Sequence, residues 1–202
     1  GIGNLDAICM AVAGPVIDQT ARFTNNRWKV NRTDLVAQYG TEAVRILNDF
    51  EAVSYSLPVL KKEDLIPIGG SWTLPDSQEF SVGVIGPGTG LGVAGLYARQ
   101  GSHYPIVAEG GHTGFSPETP EQVQVLQFLL SKFGRVSNER LLSGPGIVNI
   151  YGALAQIRNT AAKEQDAAII AAKGVSAEDE LCKNTMDLFF EVHILSCQPV
   201  VL

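Results

Sequence analysis

Basic charge is in short supply in this chain. Lys and Arg number 15 against 21 Asp and Glu, leaving a formal net charge of −6. No basic stripe exists to neutralise a nucleic-acid backbone, so nonspecific nucleic-acid binding is excluded and an anionic ligand would need a local cradle. Cysteine is equally sparse. Cys9, Cys182 and Cys197 are odd in number, widely separated and free of CxxC spacing, which argues against a disulfide framework or a structural zinc site and for the reducing cytosol. Long apolar runs are missing too: none reaches the ~18 residues of a membrane span, and no basic stretch followed by an apolar one opens the chain. The initiator methionine is also absent, and Gly1-Ile2-Gly3-Asn4-Leu5 leads almost at once into a strand-like run. The expectation is that the true beginning lies upstream.

What is present is ample core material, since 45% of the 202 residues are hydrophobic, enough for one large domain or two modest ones. Residues 6–13 form a short apolar run closed by Gly14-Pro15 and read as a buried strand. Thr33 to Val36 opens a helix that Gly40 ends, and residues 45–49 read as a second buried strand with Asn48 and Asp49 at its carboxyl end. Phe50 to Leu60 follows as a helix. The turn-rich stretch Gly69–Ser77 marks a connection between domains, and the division is placed at residues 1–59 and 60–202.

Further along, residues 80–85 read as a strand and 93–99 as its return after the run Gly86-Pro87-Gly88-Thr89-Gly90-Leu91-Gly92. Thr119-Pro120-Glu121-Gln122 has the pattern of a capping box with proline at the first helical position, and Leu126, Leu129, Leu130 and Phe133 continue at helical spacing up to Gly134. A helix is expected near Asn138, interrupted by Gly144-Pro145-Gly146 and resumed from Ile147 to Ile157. The alanine-rich stretch 161–173 reads as helix, and Ser176 as the cap of another that runs through Phe190.

Chemistry concentrates in three places. The glycine run offers backbone that tolerates positive φ and N–H groups that can approach phosphate oxygens, with the Thr89 hydroxyl beside them. A dinucleotide-binding loop or a tight hairpin turn are the alternatives; the former would open a helix, whereas Val93 to Tyr97 looks like strand, although Glu109 falls about 20 residues on, where a ribose-binding acid belongs. Asn48-Asp49 sits where open α/β sheets place ligands. Asp49 is suited to accept a proton from an attacking hydroxyl and Asn48 to hold another, and the local alternative is a turn or helix cap. Glu109 and His112, two glycines apart, suit a polyol whose hydroxyls both donate and accept, or else form a solvated surface turn. Glu139 has a local explanation as an acid near a helix start, and a functional one as a further sugar ligand.

Together these segments resemble the bacterial glucokinase family, the non-ROK, hexokinase-like branch of the actin-like ATPase superfamily. The resemblance runs through Ala11–Val16, Thr24–Trp28, Leu47-Asn48-Asp49-Phe50, the Gly86–Gly92 run, Glu109-Gly110-Gly111-His112 and Ser137–Gly146, and covers about residues 7 to 155. It implies an α/β fold of two RNase H-like domains, here incomplete, and transfer of the ATP γ-phosphate to the 6-hydroxyl of glucose with Mg²⁺ on the phosphates. Asp49 would be the catalytic base. Asn48, Glu109, His112, Glu139, Asn25 and Gly90 would bind the sugar, and Gly88, Thr89 and Gly90 would meet the nucleotide. A cytoplasmic homodimer is the implied assembly.

Two features depart from the family pattern. The N-terminal aspartate-glycine phosphate loop and the C-terminal glycine-rich adenosine segment are not in the sequence, and His193 to Leu202 does not follow the family's continuation. The rival reading is therefore a truncated or inactive glucose-binding pseudokinase. A sugar-responsive DNA-binding regulator is disfavoured by the lack of a helix-turn-helix, and a ROK-type protein by the lack of a cysteine-rich zinc cluster.

Overall fold

The computed structural model describes residues 5–22, 28–67 and 79–196. The readings made above for Thr24, Asn25, the whole Gly69–Ser77 connection and Cys197 lie outside them. The chain separates into two compact units, Gly1–Val84 with Ala94–Ala108, and Ile85–Val93 with Glu109–Leu202.

In the first unit, β1 (Ile8–Val12) pairs in parallel with β5 (Val44–Asn48), in a register that sets Val12 opposite Asn48. Parallel pairing needs a long crossover. The chain between them supplies it with β2 (Val16–Ile17), β3 (Thr20–Arg22) and β4 (Lys29–Asn31), a small antiparallel sheet, and then α1 (Arg32–Tyr39). Gly40, at φ 71°, ends α1 as the sequence led one to expect, because glycine enters the left-handed region without a Cβ clash. Val12, Ala21 and Ile46, one from each of β1, β3 and β5, form the buried centre.

The β2–β3 turn was not anticipated. Asp18 and Gln19 both take positive φ, 48° and 53°, as a tight two-residue hairpin requires, but without the glycine or asparagine that would advertise it. Gln19 is held on two sides: its Oε1 accepts the Ile46 N–H at 2.8 Å and its carbonyl accepts the Arg32 N–H at 3.0 Å.

The helix α2 (Asp49–Ser56) follows β5 without a linker and passes into a 3-10 turn at Leu57–Val59. A three-stranded sheet in the order β6 (Phe80–Pro87), β7 (Leu91–Arg99), β8 (Ser102–Ala108) comes next. Links of three residues and of two residues permit only antiparallel neighbours. Gln100 and Gly101, at φ 51° and 76°, make the second hairpin and lead into strand β8, which the sequence reading did not include.

Helices dominate the second unit: α3 (Pro120–Phe133), α4 (Gly144–Ile157), α5 (Ala167–Val175) and α6 (Glu180–Ser196). The apolar faces of α3, α4 and α6 meet in one core, with Leu129, Leu141, Leu142, Ile150 and Leu154 at or below 1% exposure, and Ile170 of α5 packs with Tyr151 and Cys182 in a second cluster. Each such burial removes a side chain from water for ~1.5–3 kcal/mol. None of the helices among the described residues is long and apolar enough to cross a membrane.

Several boundaries differ from expectation for physical reasons. Gly144-Pro145-Gly146 does not interrupt a helix but starts α4; the N–H that proline lacks is one that a first turn leaves unbonded anyway. Near Asn138 there is only a 3-10 turn, Asn138–Arg140. The alanine-rich stretch becomes helical only at Ala167, where Asp166 accepts the Ala168 and Ile169 amides and fixes the start. Ser176 closes α5 rather than opening α6, whose first turn is held by Asp179 through the Cys182 N–H at 2.8 Å. At α3, Thr119 caps as expected, but Gln122 reaches the Glu118 amide instead of completing the box on Thr119.

Candidate active site

Asn48 and Asp49 stand at the junction of β5 and α2, in the first unit. Asn48 is the last residue of the strand and the cap of the helix. Its Oδ1 accepts the Phe50 and Glu51 amides at 2.9 and 3.3 Å, and Glu51 Oε2 returns to the Asn48 N–H at 3.4 Å, a reciprocal box that satisfies donors a helix start leaves unpaired. Its Nδ2 donates to Gly14 O at 3.0 Å. The carboxyl ends of β1 and β5 are thereby tied together by one carboxamide, in the position where α/β sheets present ligand-binding groups. Asp49 is the first helical residue and half-buried, and its Oδ1 accepts the Phe50 N–H at 2.9 Å. Its location on a capped helix fixes the main chain from which the carboxylate projects.

In the second unit the glycine run resolves into strand and turn. The loop proper is Gly88-Thr89-Gly90, between Pro87 of β6 and Leu91 of β7. It enters a strand, so the dinucleotide-binding alternative falls. The glycines are also not used for positive φ: among the described glycines that region is occupied by Gly14, Gly40, Gly101 and Gly134. Close approach is what the loop demands. A Cβ on Gly90 would lie 2.5 Å from Oε2 of Glu139, a spacing that real Cβ atoms do not adopt.

Both ends of this loop are fastened to the segment 139–144. Gly88 O accepts the Gly144 N–H at 2.8 Å, and the Leu91 N–H donates to Glu139 Oε2 at 3.0 Å. Within the turn the Gly88 N–H donates to Gly90 O at 2.8 Å. The amides of Thr89 and Gly90, with the Thr89 hydroxyl, are the donors available to an incoming anion. Glu139 is thus not explained by a helix start, since its 3-10 turn is too short to carry a macrodipole; its carboxylate binds the loop.

His112 ends a 3-10 turn, Gly110–His112, that follows Glu109. Gly111 lies so close to β7 that a Cβ would overlap the Leu91 carbonyl oxygen, and this approach holds the turn on the loop's exit strand. His112 Nε2 is 3.7 Å from Glu109 Oε2, and its Nδ1 is 3.9 Å from Glu139 Oε1. Exposure grades across the trio, 72% for Glu109, 57% for His112 and 32% for Glu139, so Glu139 is the sheltered member. Behind them Arg135 donates to His112 O at 2.7 Å, and Asn138 holds Thr113 through its backbone and side chain. Two carboxylates and an imidazole beside a turn with open amides can accept and donate to several hydroxyls while an anion is held next to them.

Residues that sequence reading missed support this cluster. Asn149, 6% exposed on α4, donates to Arg140 O and accepts from Lys132 Nζ, both at 3.0 Å. Arg140 lies over the Phe133 ring at 4.2 Å, with Lys132 at 5.0 Å. These groups, with Pro145 and Val148, line a concave pocket of about 650 Å³ at the start of α4. Only the helical spacing of Phe133 carried a signal, and it pointed to packing.

The glucokinase family profile matches residues 1–198. The glucokinase of Xanthomonas campestris pv. campestris (strain B100) is 43% identical over 181 residues, 89% of this chain and 54% of that protein. The glucokinase of Stenotrophomonas maltophilia (strain K279a) is 39% identical over 184 residues, covering 90% and 55%. The chain spans about half the length of the curated relatives it matches. Among solved structures, a glucokinase from an Antarctic psychrotroph superimposes with a TM-score of 0.78 at 31% identity, over 90% of this chain and 55% of that one. A Balamuthia mandrillaris glucokinase solved in complex with glucose gives 0.72 at 23% identity, over 91% and 57%. The likeness places the chain in the actin-like ATPase sugar-kinase fold, of which it covers part. On the extent of the family match, the chain belongs to the glucokinase family.

Proposed function

We propose that this chain serves the phosphorylation of glucose by ATP at the 6-hydroxyl, giving glucose 6-phosphate and ADP. The observation that carries the proposal is the convergence of Glu109, His112 and Glu139 on the glycine turn that ends at Leu91. A hydroxyl-binding set and an anion-binding turn side by side suit a polyol and a polyphosphate. The glucose named for the Balamuthia mandrillaris complex agrees with that sugar class.

In this reading Glu109, His112 and Glu139 bind sugar hydroxyls, joined by Asn48, Asn25 and the backbone at Gly90. Asp49 takes the proton of the 6-hydroxyl as that oxygen attacks the γ-phosphorus. The amides of Thr89 and Gly90 and the Thr89 hydroxyl face the transferring phosphoryl group, and Gly88 sets the turn. Phosphoryl transfer is mostly positioning and charge stabilisation, so fixed donors that need no reorganisation are the contribution of the loop. As part of the nucleotide substrate, Mg²⁺ would supply charge neutralisation at the phosphates. The proposed assembly is a cytoplasmic homodimer.

Glucose-dependent ADP release by the purified chain tests the proposal, with calorimetry for glucose and for MgATP as separate titrations. Turnover requiring glucose supports it. Glucose binding without turnover would turn the reading to a glucose-binding pseudokinase, and no glucose binding at millimolar sugar would refute it.

A further inference from the structure

We infer that Glu139 couples the sugar to the phosphate loop, acting as a positioning residue for the Gly88–Leu91 turn as well as a sugar ligand. The inference rests on the functional reading above. The two fastenings of the turn differ in kind. At Gly88 the partner is the Gly144 N–H, a backbone group at the start of α4. At Leu91 the partner is a side-chain carboxylate, whose second oxygen faces His112 at 3.9 Å and so reaches the sugar-binding side.

The main chain beneath Glu139 is rigid. Ser143 Oγ donates to Glu139 O at 2.8 Å, Asn149 Nδ2 donates to Arg140 O at 3.0 Å, and Leu141 and Leu142 both donate to Asn138 O. The freedom left is that of the Glu139 side chain, whose Oε2 occupies space beside Gly90 that a Cβ there would enter.

A carboxylate offers about four lone-pair sites, so a sugar hydroxyl can donate to Oε1 while the Leu91 N–H stays on Oε2. Sugar binding then fixes the Glu139 rotamer, the Leu91 anchor stiffens, and the Thr89 and Gly90 amides are already ordered when the polyphosphate arrives. Ordering charged to the first ligand is not charged again to the second, which is positive coupling without a large rearrangement.

Two measurements on the full chain test this, with Glu139→Gln and Glu139→Ala beside the wild type and circular dichroism to establish folding. The first is amide hydrogen exchange at Leu91 without ligand. Glu139→Ala should exchange about tenfold faster, whereas Glu139→Gln, whose amide oxygen still accepts, should stay within about twofold of wild type. The second is the affinity for Mg²⁺ with a non-hydrolysable ATP analogue, at zero and at saturating glucose. Wild type should bind about fivefold tighter or more with sugar, and Glu139→Ala should show a ratio near one. Equal Leu91 exchange in wild type and Glu139→Ala overturns the inference, as does an unchanged affinity ratio. The functional reading fails separately: a wild-type chain that binds no glucose refutes it, and the exchange comparison still decides whether Glu139 anchors the turn.

Discussion

The two units build their functional groups in opposite ways. In the first, the side chains of Asn48 and Asp49 bond to neighbours within three positions along the chain, apart from one bond to Gly14. In the second, Glu139 meets Leu91 across 48 positions, Arg135 meets His112 across 23 and Asn138 meets Thr113 across 25. A locally held site depends on helix-start chemistry and survives much of what happens elsewhere. One assembled over long separations depends on the core that brings its parts together.

The sharpest break in that comparison should come from Asp49→Asn. It should lower glucose-dependent turnover by about 10²–10⁴-fold in a steady-state ADP assay, the usual worth of a positioned general base, while thermal unfolding stays close to wild type. Leu142→Ala should act on the other side of the comparison. Leu142 is fully buried beside the Glu139 segment, and its loss should cost about 2–5 kcal/mol in denaturant unfolding and weaken glucose binding without touching a ligand group. Asn48→Ala should cost about 1 kcal/mol of stability through the lost cap, and Asn48→Asp should recover most of that.

The smallest effect expected is one of pH. Hydrogen bonds from the Cys182 amide hold the Asp179 carboxyl below its ordinary value, so its contribution to stability is complete above about pH 4, the unfolded value, and fades as pH falls through the lowered folded value. Asp179→Asn keeps an acceptor at the start of α6 and should flatten that acid limb in unfolding curves taken between pH 5 and pH 2. The neighbouring Cys182 thiol, pushed up to about 11 chiefly by burial, should stay unreactive to alkylating reagents at neutral pH until the chain unfolds.

What could be read from the residues follows the same division. The strand β5, the cap at Asn48, the helix α3 with Thr119 before it and Gly134 after it, and the glycine turn are all written in short patterns, and the structure has them. The Asp18-Gln19 hairpin was hidden because its positive φ values are imposed by surrounding bonds to Ile46 and Arg32 rather than by residue type. Gly144-Pro145-Gly146 misled because proline both ends helices and begins them. The bond from Leu91 to Glu139 has no local signature, so a carboxylate near a short turn read as a dipole partner. Likewise the glycines of the Gly86–Gly92 run pointed to unusual φ, whereas Gly90 is needed for the space it leaves.

Gln19 has a consequence for how this protein associates. Strand pairs with open edges recruit further strands and so seed aggregation, and on the β5 side the Ile46 N–H that would recruit one is filled by the Gln19 carboxamide. A foreign chain docking there would first have to expel that side chain and break its bond to the Ile46 amide.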